Sequence, residues 1–463
     1  METSFSTRPN KLGWVAALLS AAYLLFGLIE SFTFNQFHVF SRPLDFSAML
    51  YICELLKMAG YLLVPMAVFL NSAKAKSTLK IVYPLVAVFS LLGTAEYCSM
   101  EKTMENTPNR NNLDPVTMEI YDSINQLIPK GMIWALYALQ SFALLLLCAH
   151  LLLRDGLGKK DFRSLLFLPL FVLVCLPLNV LSYPLSLSPS WLSDFLRFEN
   201  FSFWHFLSLA LVPIFTLLAY LILKRKTKER QLYWLRVMAI VLLIHFAGKD
   251  SMLIGDGYNI YNIALSSIPL FICDIGKIIV FLALFLNKKR LYDIAFFVHS
   301  AGAVTVFFYF GRIQNFGAVI DYSFAYFTLT HLLLFLLSVL PVMLGLSEFK
   351  VKDVKIPLVY YAFVILVATF TSVLITNLSA TWVTNSGEHL SELLYLNFAF
   401  TQICPLPIDL PGFLTVNIGE CEVDFLYLIL LYLAYVAIFF TFFGFTLLVA
   451  LLSKRLAKRQ KAN

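Results

Sequence analysis

The feature that most constrains this chain is its series of apolar runs about 20 to 25 residues long, the length that crosses about 30 Å of hydrocarbon at 1.5 Å per residue. Inside lipid every backbone N–H and C=O must be satisfied within its own segment, so runs of this kind fold as helices. With 60% of its 463 residues hydrophobic and 14% charged, the chain departs from soluble proteins, whose charged share is nearer a quarter. The expected class is all-α, a polytopic membrane helical bundle. The spans fall near residues 13–33, 46–70, 79–98, 131–153, 165–187, 201–223, 232–253, 264–287, 292–311, 324–346, 356–378 and 425–453. The first is too long for a signal-peptide core and is expected to be retained.

Every second connection is basic: Lys74, Lys76 and Lys80; Arg154, Lys159, Lys160 and Arg163; "KRKTKER" at 224–230; "KKR" at 288–290; Lys350, Lys352 and Lys355; "SKRLAKRQK" at 453–461. Short basic loops mark the cytoplasmic side, which places both termini there and the protein in the cell membrane. The net charge of +7 is thereby absorbed by orientation, and no nucleic-acid surface is implied. The long loops 99–130 and 379–424 face outside.

An internal repeat runs through the sequence at an offset of 220 residues: Leu12 and Trp14 answer to Leu232 and Trp234, and Glu30 and Ser31 to Asp250 and Ser251. Most tellingly, "LYICELLK" at 50–57 answers to "LFICDIGK" at 270–277. "FLN" at 69–71 also recurs at 285–287. Two parallel units of six spans follow, 1–228 and 229–463, related by an axis along the membrane normal.

The repeated motif puts Cys53, Glu54 and Lys57, and again Cys273, Asp274 and Lys277, at i, i+1 and i+4, on one helix face. Counted from the outer end, the cysteines lie roughly 10 Å deep and the lysines about 17 Å deep. Charges at that depth cost about 2.5 to 3.5 kcal/mol each and are expected to pair inside the bundle. Two readings stand side by side. Either Cys273 is a nucleophile tuned by its Lys and carboxylate, or the acid–Lys pairs lock helices together and the Cys only packs. The second unit adds His331, at a depth close to Cys273, and Lys249 beside Asp250, whereas the first unit has Gln140 in the region of His331. That asymmetry points to a working site in the second unit. Cys404 and Cys421 share one outer loop and are candidates for a disulfide. His38, His150, His205, His299 and His389 form no ligand spacing, and no Walker A, GxGxxG or GxSxG motif occurs, so neither metal nor cofactor is expected.

From "IPLFICDIGKIIVFLALFLNKKRLYDIAFFVHSAGAV" through "YSFAYFTLTHLLLFLLSVLPVML" to "SVLITNLSA", the chain resembles the YwaF family of bacterial multi-span membrane proteins, relatives of animal transmembrane protein 164. The resemblance covers roughly residues 230–453, with the first unit looking like a divergent second copy. The family pattern of an LPLHLCD-like segment, a later His and an Asn in the next span falls on Leu270, Phe271, Cys273 and Asp274, then His331, then Asn377. The resemblance implies fatty acyl transfer between phospholipids through a cysteine acyl intermediate, as the animal relative is described to perform. Cys273 and His331 would act, with Asp274 beside them. The His that precedes the family Cys by two residues is Phe271 here and Tyr51 in the first unit. The expected partners are membrane lipids, held by Lys277, Asp250, Lys249, Asn377, Glu54, Lys57 and Cys53. A secondary transporter using the midplane charges, and a non-enzymatic membrane scaffold, are the competing classes.

Overall fold

In a computed structural model the described residues are 11–33, 48–104, 130–176, 195–253, 269–308, 322–380, 401, 414–419 and 421–462. They are mostly helical, and eight helices among them are long and apolar enough to cross a membrane. Of the other four expected positions, 13–33 is one continuous helix, and the described parts of 165–187, 264–287 and 292–311 contain helix. The chain divides into two compact units, residues 1–187 with 243–268, and residues 188–242 with 269–463.

In the first of these, α1 (Lys11–Thr33), α2 (Ala48–Val68), α3 (Ala73–Met104) and α4 (Lys130–Asp155) form a four-helix bundle. Two short turns, Lys159–Phe162 and Arg163–Phe167, lead into α5 (Leu168–Cys175), which packs on α2. Tyrosines hold the bundle: Tyr23 OH donates to Lys57 O at 3.2 Å and Tyr83 OH to Leu56 O at 2.7 Å. Both side chains are fully buried, so each hydroxyl satisfies a backbone carbonyl in the interior and ties α2 to a neighbour.

The second compact unit holds α6 (Phe203–Leu223), the first part of α7 (Lys228–Leu253), α8 (Ile272–Leu286) and α9 (Lys289–Ile294). A π-turn, Ala295–His299, links α9 to α10 (Ser300–Thr305). After these come α11 (Tyr322–Met343), α12 (Lys355–Ala380), a β-hairpin and α13 (Phe425–Ala462). The hairpin, β1 (Thr415–Ile418) with β2 (Cys421–Asp424), amends the all-α expectation. One core gathers Leu235, Val280, Phe307, Leu334, Leu337 and Leu340 between α7, α8, α10 and α11. Another joins Phe297, Tyr361, Tyr427 and Phe439 between the π-turn, α12 and α13. Along α12 the exposed residues Val359, Phe363, Leu366, Phe370, Leu374 and Leu378 recur at helical spacing, the stripe a spanning helix turns to lipid.

Asparagine ends both copies of "FLN". Asn71 (φ 53°) and Asn287 (φ 51°) adopt the left-handed conformation that stops a helix. Each amide oxygen accepts from the side chain five residues on, Lys76 Nζ at 2.5 Å and Tyr292 OH at 3.1 Å.

Candidate functional site

Residues 269–271 are not helical, and α8 begins only at Ile272, with Phe271 in extended backbone at φ −74°, ψ 143°. Phe271 O then accepts the amides of Asp274 (2.9 Å) and Ile275 (3.0 Å), closing the first turn. Cys273 and Asp274 therefore sit at the helix start, where backbone N–H groups and the helix dipole favour negative charge. Asp274 binds Lys277 at 2.6 Å, one turn on, and both are buried. The ammonium also lies 5.8 Å from the centre of the Tyr326 ring on α11. Cys273 is half-buried, and its thiol donates to Gly302 O of α10 at 3.9 Å.

The crossing of α8 with the π-turn and α10 is close because glycine faces it from both sides. A Cβ on Gly276 would lie 2.6 Å from His299 Nδ1, and one on Gly302 would lie 3.3 Å from Ile272 Cγ2. Small residues let helices approach in just this way. His299 is fully buried, and its Nε2 lies 3.0 Å from Tyr360 OH of α12. A π-turn re-aims one side chain out of helical register, and such turns collect at functional sites. Spacing-based reasoning passed over His299, because it belongs to no ligand motif. The available signal was the small-residue run "SAGA" after it, facing the glycine of "ICDIGK".

His331 is buried on α11, its ring tilted against Phe327 at 4.1 Å between ring centres, with Nδ1 2.7 Å from Phe327 O. A carbonyl only accepts, so a hydrogen bond there requires the tautomer with its proton on Nδ1. Asn377 Nδ2 donates to Val373 O (2.8 Å) and to Ile418 O (2.9 Å), which ties the end of α12 to the hairpin. Lys249 and Asp250 fall near the end of α7, and their side chains lie outside those described. Cys421 is buried at the start of β2, beside Thr376 of α12. Cys404 lies outside the described residues.

The first unit's copy is built differently. Cys53 sits at least five residues inside α2 and is buried, as are Glu54 and Lys57. Glu54 Oε1 accepts from Tyr137 OH of α4 and lies 3.5 Å from Lys57 Nζ, while that ammonium lies 3.7 Å over the Tyr137 ring. Gln140 donates to Tyr61 OH at 2.7 Å. In both copies the ion pair is therefore formed at i,i+3, between acid and Lys.

At the basic loops each unit carries a Lys–Asp clamp. Asp161 Oδ2 accepts from Gly158 N (2.8 Å) and Lys80 Nζ (3.0 Å), and Oδ1 from Ser77. The Ser77 and Gly158 bonds and the Lys80 charge hold its carboxyl down at about 2. Asp353 Oδ2 likewise accepts from Lys350 N (3.1 Å) and from Lys289 Nζ (2.7 Å), which also bonds Asp293. Partial burial pulls Lys289 down, but the bonds to Asp293 and Asp353 outweigh it and leave its ammonium above the ordinary range. Among the described residues no group of three or more His, Cys, Asp or Glu gathers at metal-ligand range.

The segment that carries Cys273, Asp274, Lys277, His299, His331 and Asn377 is also the segment that a family model matches. Residues 200–408 match the model of the TMEM164 family. The match supports a relation to that membrane family and takes in α6 to α12. No curated protein and no solved structure matches the chain.

Proposed function

We propose that this TMEM164-related chain is a cell-membrane protein that transfers fatty acyl groups between phospholipids through a thioester on Cys273. The observation that carries the proposal is a contrast between the two cysteines. Cys273 is half-exposed in the first turn of α8, beside the Asp274–Lys277 pair, whereas Cys53 is buried within α2. In the reaction the Cys273 sulfur attacks the ester carbonyl of a phospholipid, and its proton passes to Nε2 of His331. The ester C–O bond breaks, and the lysophospholipid leaves with that proton. A second lysophospholipid hydroxyl then attacks the thioester, its proton returns to sulfur, and the new ester departs. Backbone N–H groups at the start of α8 would steady the oxyanion of each tetrahedral intermediate. Asp274, held by Lys277, fixes that turn, and the other polar side chains of the second unit receive the headgroup.

The first unit serves the fold in this proposal, as a divergent copy produced by tandem duplication of a six-span ancestor. The paired Asn71 and Asn287 turns, the repeated acid–Lys pairs and the Lys–Asp clamps at Asp161 and Asp353 support that ancestry. Transport and scaffolding remain the competing functions.

Intact-mass analysis of protein incubated with a phospholipid of one defined acyl chain tests the chemistry. The expected result is a hydroxylamine-labile gain of that acyl mass, lost in Cys273→Ser. An unmodified wild-type chain that turns over no lipid would reject acyl transfer.

A further inference from the structure

The hairpin at the end of α12 has two chemically distinct faces. Directly opposed residues of antiparallel strands point to the same side, and alternate pairs to opposite sides. The register pairs Val416 with Val423 and Ile418 with Cys421, and Phe425 N donates to Leu414 O at 3.2 Å to extend the row. Leu414, Phe425, Val416, Val423, Ile418 and Cys421 thus make one wholly apolar face. Thr415, Asp424, Asn417 and Glu422 make the other, wholly polar.

The apolar face is only half covered by protein. Val423 and Cys421 of β2 are buried, while Leu414 (51% exposed), Val416 (48%), Ile418 (43%) and Phe425 (44%) are open. The hairpin is also fixed rigidly at one level. Gly419, at φ 62°, turns the chain against Asn377 in the last turns of α12, where any Cβ would overlap the Asn377 side chain. Asn377 donates to Ile418 O, and Asp424 Oδ1 accepts Tyr427 N at 3.0 Å to start α13. This end of α12 is opposite its basic start at Lys350, Lys352 and Lys355.

We propose that residues 414–425 form a membrane-interface element, with the apolar face seated in the headgroup–acyl boundary of the leaflet opposite the basic loops and the polar face in water. Lipid is the favoured occupant because the open face continues the apolar surface of both attached helices. Leu374 and Leu378 are exposed on either side of Asn377, the α12 residue that bonds the hairpin at Ile418, and Ile429 and Leu433 of α13 are exposed just after the hairpin in the chain. The depth is bounded by the backbone. Within the described residues β1 pairs with β2 alone, so its other edge carries N–H and C=O groups that hydrocarbon would leave unsatisfied. The hairpin therefore stops at the interface, where water and headgroups serve that edge. The proposal rests on the membrane-spanning architecture and is independent of any chemistry at Cys273.

The test is site-directed fluorescence in nanodiscs of the full chain. Leu414→Cys, Val416→Cys, Asn417→Cys and Glu422→Cys are each labelled with a polarity-sensitive maleimide dye, with wild-type labelling subtracted. Quenching by a phospholipid spin-labelled high on its acyl chain is compared with quenching by aqueous iodide. At positions 414 and 416 the lipid quencher is expected to act at least about threefold more strongly than at 417 and 422, with iodide showing the reverse. Strong iodide quenching at 414 and 416 would overturn the proposal. Protection from both quenchers there would also overturn it, since another part of this chain or a second copy would then cover the face. Equal values at the adjacent positions 416 and 417 would show that no such two-faced hairpin forms.

Discussion

Gly276→Ala probes the contact between α8 and the π-turn. The added methyl would stand 2.6 Å from His299 Nδ1, 2.9 Å from Cγ and 3.2 Å from Cβ. The imidazole is fully buried and tethered to Tyr360 at 3.0 Å, so it cannot swing aside without giving up that bond. Overpacking of this kind costs about 1 to 3 kcal/mol, and a lost buried hydrogen bond adds about 1 kcal/mol. Alanine returns about 1 kcal/mol through its better helix propensity. The net loss is about 1 to 3 kcal/mol, which corresponds to a fall in Tm of roughly 2 to 10 °C for a unit of this size. Gly444→Ala on α13 is the control, because no atom lies within 4 Å of its added Cβ; its Tm should hold or rise. Thermal unfolding in detergent reads both. A double-mutant cycle with His299→Ala isolates the clash, since the Gly276→Ala penalty should largely vanish once the ring is gone. If Gly276→Ala is as stable as wild type, or costs the same without the imidazole, the close crossing described for α8 is wrong.

The buried pairs and the loop clamps make further predictions. Lys277→Met removes the ammonium that pairs with the buried Asp274 carboxylate, a loss of about 3 to 5 kcal/mol. Asp274→Asn/Lys277→Met should recover most of it in the same unfolding assay, and failure to recover would mean that the charges do not act on each other. Asp161 is more acidic folded, at about 2, than its ordinary 3.8. Its stabilisation, about 1 kcal/mol after solvent screening at this loop site, is therefore complete above pH 4 and disappears as pH falls through about 2. Asp161→Asn should lower Tm at pH 6 and change it little near pH 2; a pH-independent difference would contradict the clamp.

Periodicity and length carried the helical architecture a long way. Apolar runs anticipated a mostly helical chain with eight helices long and apolar enough to span among the described residues, and charge cost alone foretold that Glu54, Lys57, Asp274 and Lys277 would be buried and paired. What the sequence could not register is local geometry. Identical spacing in "LYICELLK" and "LFICDIGK" suggests identical settings, but α8 starts at Ile272 while α2 is already well under way at Cys53. The two cysteines consequently differ in exposure. The π-turn at His299 is invisible to hydropathy, since shifting one residue out of register changes no composition. The hairpin does alternate apolar and polar residues, yet over four residues a strand, inside the long loop 379–424, that pattern competes with irregular chain. Asn377 was legible as a polar group near a span end; its bond to Ile418 depends on a hairpin 41 residues away.

The most direct measurement is peptide-level mass spectrometry of the wild-type protein reconstituted with a phospholipid of defined acyl chain, reading Cys273 and Cys53 in one digest. The account predicts a hydroxylamine-labile acyl group of that chain length on Cys273 and none on Cys53. Equal acylation of both cysteines, or none on Cys273 while lipid turnover continues, would contradict it.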